Sequence, residues 1–177
     1  MLVLVGIAAA VKWMPRQVTE AVAEALPGKA NTGGQVYRLV PGSVYDGDTL
    51  RVTDGSQEIK IRLCGIDAPE KAQPMGVESR DHLRALIDRG DGSLVVVPVE
   101  KDRYGRMVAE IFVPMAGMEE EIHINSQMVL DGMAYQYARY SGGCPNGMLL
   151  AGAEDRAKAQ SVGVWAKAGA VKPWDWR

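Results

Sequence analysis

Asp54-Gly55 stands between two short runs, Thr49 to Thr53 and Glu58 to Leu63, and this arrangement limits the possible folds more than any other feature of the chain. Gly after Asp supplies the positive φ that a tight hairpin turn needs, and the flanking runs alternate at the period of a half-buried strand. Val36 to Tyr45 reads as a strand ahead of them, so the spacing predicts a three-stranded antiparallel meander. Leu94 to Glu100 and Met107 to Val113 read as two more strands, joined across KDRYGR. Between the two groups, Gly76 to Arg89 places Leu83, Leu86 and Ile87 at helical spacing with charges among them. Five short strands with one inserted helix suggest a small closed or partly open barrel.

Further along, Asn125 is placed to cap a short helix that Gly132 ends, and Met148 to Gln160 is an Ala-rich last helix. The chain has 177 residues, room for one domain with a short appendage. Residues 35–177 read as that domain, and residues 1–34 as a hydrophobic N-terminal segment with the linker KANTGG. Leu2 to Val11 is a run of ten residues that are all apolar or Gly, against about 20 for a straight membrane span. Its length suits the core of an export signal, with small residues at Ala21 to Ala25, yet Lys12 and Arg16 follow the run and no cation precedes it. An export signal, membrane association through residues 2–14 and a docking helix all stay open. The expected location is secreted, periplasmic or membrane-tethered.

Three stretches crowd charge into places where a bare fold gains little from it. VYDGDTL sets Asp46 and Asp48 behind an apolar run, and like charges this close favour a turn that exposes them or a cation that joins them. In IKIRLCGIDAPE, alternation puts Lys60, Arg62 and Cys64 on one face and Ile59, Ile61 and Leu63 on the other. Arg62 thus points away from the better core face or into a cleft, and the strand runs out into Asp67-Ala68-Pro69-Glu70. KDRYGR carries three cations in one turn. The formal net charge of −2, from 20 Lys and Arg against 22 Asp and Glu, argues against binding nucleic acid through bulk positive charge but leaves a local basic cleft open. Cys64 and Cys144 have no zinc-ligand spacing, and pairing or two buried thiols both fit. His82 and His123 read as ordinary packing or surface residues. DGDTL does not fit a calcium EF-hand, because Leu50 and Arg51 stand where a ligand and Gly belong.

Taken jointly, Asp48, Asp67 and Glu70 with Arg62 and Arg106 form the set that metal-assisted attack on a phosphodiester requires. A hard cation polarises the phosphate, guanidinium forks neutralise its oxygens, and a carboxylate orients or deprotonates water. At this point the chain resembles the staphylococcal nuclease, or thermonuclease, family: VYDGDTL, IRLCGIDAPE and DRYGR follow in that family's order, and the likeness continues through GMAYQYARY, SVGVWA and PWDWR. The resemblance implies a mainly β, α+β fold, a five-stranded OB-fold barrel with about three helices. It also implies calcium-dependent cleavage of DNA and RNA at the bond to the 5′ oxygen, leaving 3′-phosphates. Carried over position by position, Asp48 and Asp67 match the calcium carboxylates, and Ala68 supplies a metal-ligating backbone carbonyl. Arg62 and Arg106 match the phosphate-binding arginines, and Glu70 the general base or water-orienting group. Tyr104 and Tyr140 fall near tyrosines that line the nucleotide pocket. Ala68 departs from the Thr often found there, which removes a hydroxyl and keeps the carbonyl, and the acidic balance departs from the basic character of secreted members. The competing reading is an OB-fold module that binds nucleic acid or protein with weak or no hydrolysis. A monomer is expected.

Overall fold

Residues 33–177 are the described part of the computed structural model, so the N-terminal segment expected over residues 1–34 lies outside it except for Gly33 and Gly34. The expected meander forms from β1 (Gln35–Leu39), β2 (Thr49–Thr53) and β3 (Glu58–Leu63), paired antiparallel. Gly55 takes φ 93° in the turn, and Asp54 Oδ1 accepts the backbone N–H groups of Ser56 and Gln57 at 2.8 and 3.0 Å. β1 is shorter than the expected Val36 to Tyr45 because Pro41-Gly42 turns the chain, with Gly42 at φ 74°. Val44 still reads as strand by its hydrophobicity because it is buried, although it lies outside any ladder.

After α1 (Gly76–Ile87), β5 (Ser93–Lys101) pairs with β1, and β6 (Met107–Pro114) pairs with β5. Pro98 brings no ladder donor, and the register shifts between Pro98 and Glu100, a bulge of the kind that bends a strand around a barrel. β6 also runs parallel to β3 through Ile61 and Met107, Arg62 and Val108, and Leu63 and Ala109. That pairing closes β3-β2-β1-β5-β6 into a five-stranded ring, the OB-fold barrel of a mixed α+β chain. Leu50, Val52, Ile61, Leu94, Val96 and Ile111 are fully buried in its core, joined by Leu83 and Leu86 of α1.

β7 (Glu121–His123) extends the sheet beyond β6 and runs straight into α2 (Ile124–Leu130). His123 therefore takes the cap position, and the expectation that Asn125 caps this helix is corrected. Asn125 is wholly buried inside it, accepting the Ile111 N–H at 3.1 Å and donating to the Cys64 carbonyl at 2.9 Å. It ties α2 to β6 and to the end of β3. Two-residue strands β4 (Ile66–Asp67) and β8 (Tyr135–Gln136) pair antiparallel. Three helices follow: the single turn α3 (Ala138–Ser141), the longer α4 (Gly147–Gln160), and the single turn α5 (Pro173–Trp176). Cys64 and Cys144 form a disulfide, Cα atoms 5.9 Å apart, linking the end of β3 to the segment before α4. Among the described residues, no helix is long and apolar enough to cross a membrane.

Candidate active site

The turn into β2 aims its carboxylates by local hydrogen bonds. Asp46 Oδ1 accepts the Asp48 backbone N–H at 3.0 Å, an Asx-type turn that points Asp48 inward. Asp48 Oδ1 then accepts Thr49 Oγ1–H at 3.0 Å, while Oδ2 accepts the Ala68 N–H at 2.7 Å. Gly47 permits this approach: a Cβ there would run into the Ser79 side chain and press on Ala68 Cβ.

β3 delivers Arg62, and its alternation resolves toward the cleft. The side chain is only 12% exposed, with Nη1 2.7 Å from Asp48 Oδ2 and Nη2 2.7 Å from Asp67 Oδ1. Nη2 is aligned to donate to Asp67. Nη1 meets Asp48 as a charge, yet none of the described residues accepts a hydrogen bond from it. A buried guanidinium N–H without an acceptor is costly, and an incoming anionic oxygen would satisfy it. After the turn at Gly65, β4 carries Asp67, whose side chain has no exposure, and Pro69 leads to Glu70. Asp48, Arg62, Asp67 and Ala68 are thus brought together as expected.

Glu70 joins this group through a residue that the sequence motifs did not single out. Arg177, following α5, places Nη2 2.5 Å from Asp67 Oδ2 and Nη1 3.0 Å from Glu70 Oε1. The only sequence signal for it was the PWDWR run, to which no role could be attached from spacing.

The remaining expected residues make no hydrogen bond or ion pair with the acidic group. Arg106 immediately precedes Met107, the β6 partner of Ile61, so it lies beside β3. Its Nε donates to Asp102 Oδ2 at 2.6 Å, and Asp102 Oδ1 also accepts the Tyr104 and Arg106 N–H groups. Tyr104 is 68% exposed, with the Arg103 and Arg106 guanidiniums 4.8 and 5.4 Å from its ring centre. Tyr140 is exposed too and meets Tyr137 edge-on at 4.9 Å. In the backbone Tyr135 pairs with Asp67 across β4 and β8, and Tyr137, which follows β8, donates its N–H to Gly65 O at 2.8 Å. In YQYARY the sequence left that register undecided.

Burial and then the neighbouring Asp48 push the Asp46 carboxyl up to about 7. The same two causes push Asp67 up to about 6, against the pull of Arg62 and Arg177. Arg177 is itself held more firmly protonated, because Asp67, Glu70 and Asp48 outweigh its partial burial. The cluster therefore carries more negative charge than its arginines offset. Among the described residues, no group of three or more His, Cys, Asp or Glu forms a metal cage. Asp48 and Asp67 instead bring two carboxylates to the same guanidinium, and carboxylate oxygens are the donor type that fits a hard divalent cation completed by water. The histidines are elsewhere: His82 Nε2 lies 2.7 Å from Asp131 Oδ2, and His123 stacks on Phe112 at 4.8 Å.

Comparison with known proteins finds relatives among the nucleases. A family model described as staphylococcal nuclease homologue matches residues 60–167. The chain is 36% identical over 155 residues to a micrococcal nuclease of Shigella flexneri, covering 86% of this chain and 84% of that protein. It is 34% identical over 148 residues to an uncharacterized endonuclease of Escherichia coli O157:H7, covering 84% and 86%. With protein ParB of Escherichia coli it shares 35% identity over 156 residues, covering 86% and 83%.

Proposed function

The chain belongs to the staphylococcal nuclease family, and from that premise we propose that it is a calcium-dependent nuclease hydrolysing phosphodiester bonds of DNA and RNA. The bond broken is that to the 5′ oxygen, leaving 3′-phosphates. The observation that carries the reading is Arg62, buried between Asp48 and Asp67 with one N–H left without an acceptor.

Asp48, Asp67 and the Ala68 carbonyl would hold calcium. Bound there, calcium would supply a Lewis acid that polarises the phosphate and offsets charge on its oxygens. Arg62 offers its free Nη1–H to a non-bridging oxygen, an interaction that strengthens as charge accumulates in the transition state. Arg106 supplies the second guanidinium from the β5–β6 turn after exchanging its Asp102 partner for phosphate. Glu70 orients the attacking water and takes its proton. Tyr104 and Tyr140 offer exposed ring faces on which bases stack.

Relatives named as micrococcal nuclease and endonuclease support this class, and the retained charged residues favour it over a binding module that has lost hydrolysis. The chain is proposed to act as a monomer. A disulfide persists in oxidising compartments, and together with the N-terminal apolar run it supports a secreted, periplasmic or membrane-tethered location.

The test is hydrolysis of single-stranded DNA and of RNA by the full chain, with calcium and then with a chelator, beside Arg62→Ala. Calcium-dependent cleavage is expected, with kcat reduced about 10²-fold or more in the variant and DNA binding changed far less. Binding without cleavage across a panel of divalent cations would replace this reading by the binding module.

A further inference from the structure

Residues 171–177 lie across the acidic site as a strap. Pro173 is buried, and Trp174 stacks on Tyr137 with ring centres 5.1 Å apart and planes 2° apart. Trp174 also meets Tyr135 edge-on at 5.9 Å. The Lys172 ammonium lies 3.8 Å from the ring centres of both Tyr135 and Trp165, a cation held by two aromatic faces. Gln73 links the strap to the Glu70 loop: Nε2 donates to Val171 O at 2.5 Å and Oε1 accepts the Glu70 N–H at 3.1 Å. With Pro173 opening its single helical turn, α5 then directs Arg177 at the two carboxylates.

We propose that Arg177 is a positioning residue of this nuclease, whose guanidinium fork holds the Glu70 carboxylate against Asp67 so that water is presented in line with the phosphate on Arg62. The inference rests on the reading of Glu70 as the water-orienting group. Among the described residues, Arg177 is the only side chain that pairs with the Glu70 carboxylate. A glutamate on a loop and about one-third exposed otherwise samples several rotamers, and a poorly fixed water-orienting group forfeits much of its effect. A planar guanidinium bridges two separate carboxylates with fixed donors, whereas an ammonium is a point charge that favours one of them. Arg177 therefore fixes an angle as well as supplying charge.

The same geometry sets up a competition. Arg177 occupies Asp67 Oδ2 while Arg62 occupies Oδ1, so a cation drawn to Asp67 meets a carboxylate already shared by two guanidiniums. Four carboxylates, Asp46, Asp48, Asp67 and Glu70, face Arg62 and Arg177, leaving two formal negative charges, the charge of one divalent cation. Loss of Arg177 adds a further negative charge and frees Oδ2. It therefore slows turnover and strengthens cation binding, two effects in opposite senses that a loosened fold does not produce.

The experiment uses the full chain and its Arg177→Ala, Arg177→Lys, Glu70→Gln and Arg177→Ala/Glu70→Gln variants, with thermal melts confirming that each is folded. Single-stranded DNA cleavage at saturating calcium gives kcat and KM, and calorimetric titration with calcium chloride gives the cation affinity independently of activity. Arg177→Ala is expected to lower kcat about tenfold with KM within about twofold, and to tighten calcium binding severalfold. Arg177→Lys should recover part of the kcat, and in the Glu70→Gln background removal of Arg177 should change kcat less than about twofold. An unchanged kcat in Arg177→Ala, an equal loss in both backgrounds, or weaker calcium binding overturns the inference. If Glu70→Gln loses activity while Arg177→Ala does not, this inference falls alone; full activity in Glu70→Gln removes the reading of Glu70 and this inference with it.

Discussion

His123 shows how a single buried ring sets an acid limit on the fold. Burial pushes its pKa down to about 4, although Glu110 Oε2 lies 3.8 Å from Nε2. The ring is therefore neutral at pH 7, and its approach to Glu110 is not an ion pair there. Glu110 is held instead by the Asn146 N–H and Nδ2, both at 2.7 Å, while His123 Nδ1 meets Ser126 Oγ at 3.0 Å. As pH falls, the unfolded chain takes up the proton first, near 6.5, and the folded chain only near 4. Stability from the neutral ring is thus complete above pH 6.5, declines between the two values, and levels off below the lower one. Asp46 and Asp67 act oppositely over part of this window, because their raised pKa values let the folded chain bind protons first as pH falls. Comparison with His123→Gln isolates the ring. In urea denaturation from pH 7.5 to 4, the wild-type advantage over the variant should shrink by up to about 3 kcal/mol; a constant difference would mean that the folded chain protonates the ring as readily as the unfolded chain does. Among the expected site residues, Arg62 stood out because it interrupts an apolar strand pattern, whereas Asp48, Asp67 and Glu70 taken singly read as turn or surface charges and were picked out by occurring jointly. Arg177 was not, since 107 residues separate it from Glu70 in sequence and no periodicity reports a contact of that range.

Among the elements, the tightest fit is between the β2 entry turn and α1. The Ser79 hydroxyl that faces Gly47 donates to Met133 O at 2.6 Å, so it cannot swing aside without leaving that carbonyl unpaired. Gly47→Ala should therefore destabilise the protein by about 1–3 kcal/mol, as overpacking does, and disturb Asp48 along with it. The denaturation midpoint checks this, and Ser79→Ala in the same chain should regain part of the loss. Unaltered stability would mean that the turn and helix separate easily. β2, β3, β5 and β6 were readable within a residue or so because each is a run of five or more residues rich in β-branched and other apolar side chains. β4 and β8 are two residues each, too short to carry a period, and their pairing rests on contacts across the chain. β1 was overextended for the opposite reason, since apolar Val44 follows the Pro41-Gly42 turn and is buried without pairing.

For the molecule as a whole, the carboxylates gathered around Arg62 and Arg177 predict a stability that rises when a divalent cation is added. Burying Asp46 and Asp67 beside Asp48 raises their pKa values, so around neutral pH the site opposes the fold that contains it. A cation that binds only the assembled site should reverse this. At calcium a hundredfold above its dissociation constant the gain is about 2.7 kcal/mol, a rise in Tm of about 5–10 °C for a domain of this size. A melt with calcium and with chelator measures it, and no shift up to millimolar calcium would remove the cation from Asp48 and Asp67. The parallel seam between β3 and β6 has a further consequence in time. Its strands are some 45 residues apart in sequence, and such non-local pairings form late and slowly during folding. Arg62 stands on one strand of that seam, paired with Val108, and Arg106 immediately precedes the other, so a chain whose ring is still open has not yet brought these two arginines to neighbouring strands.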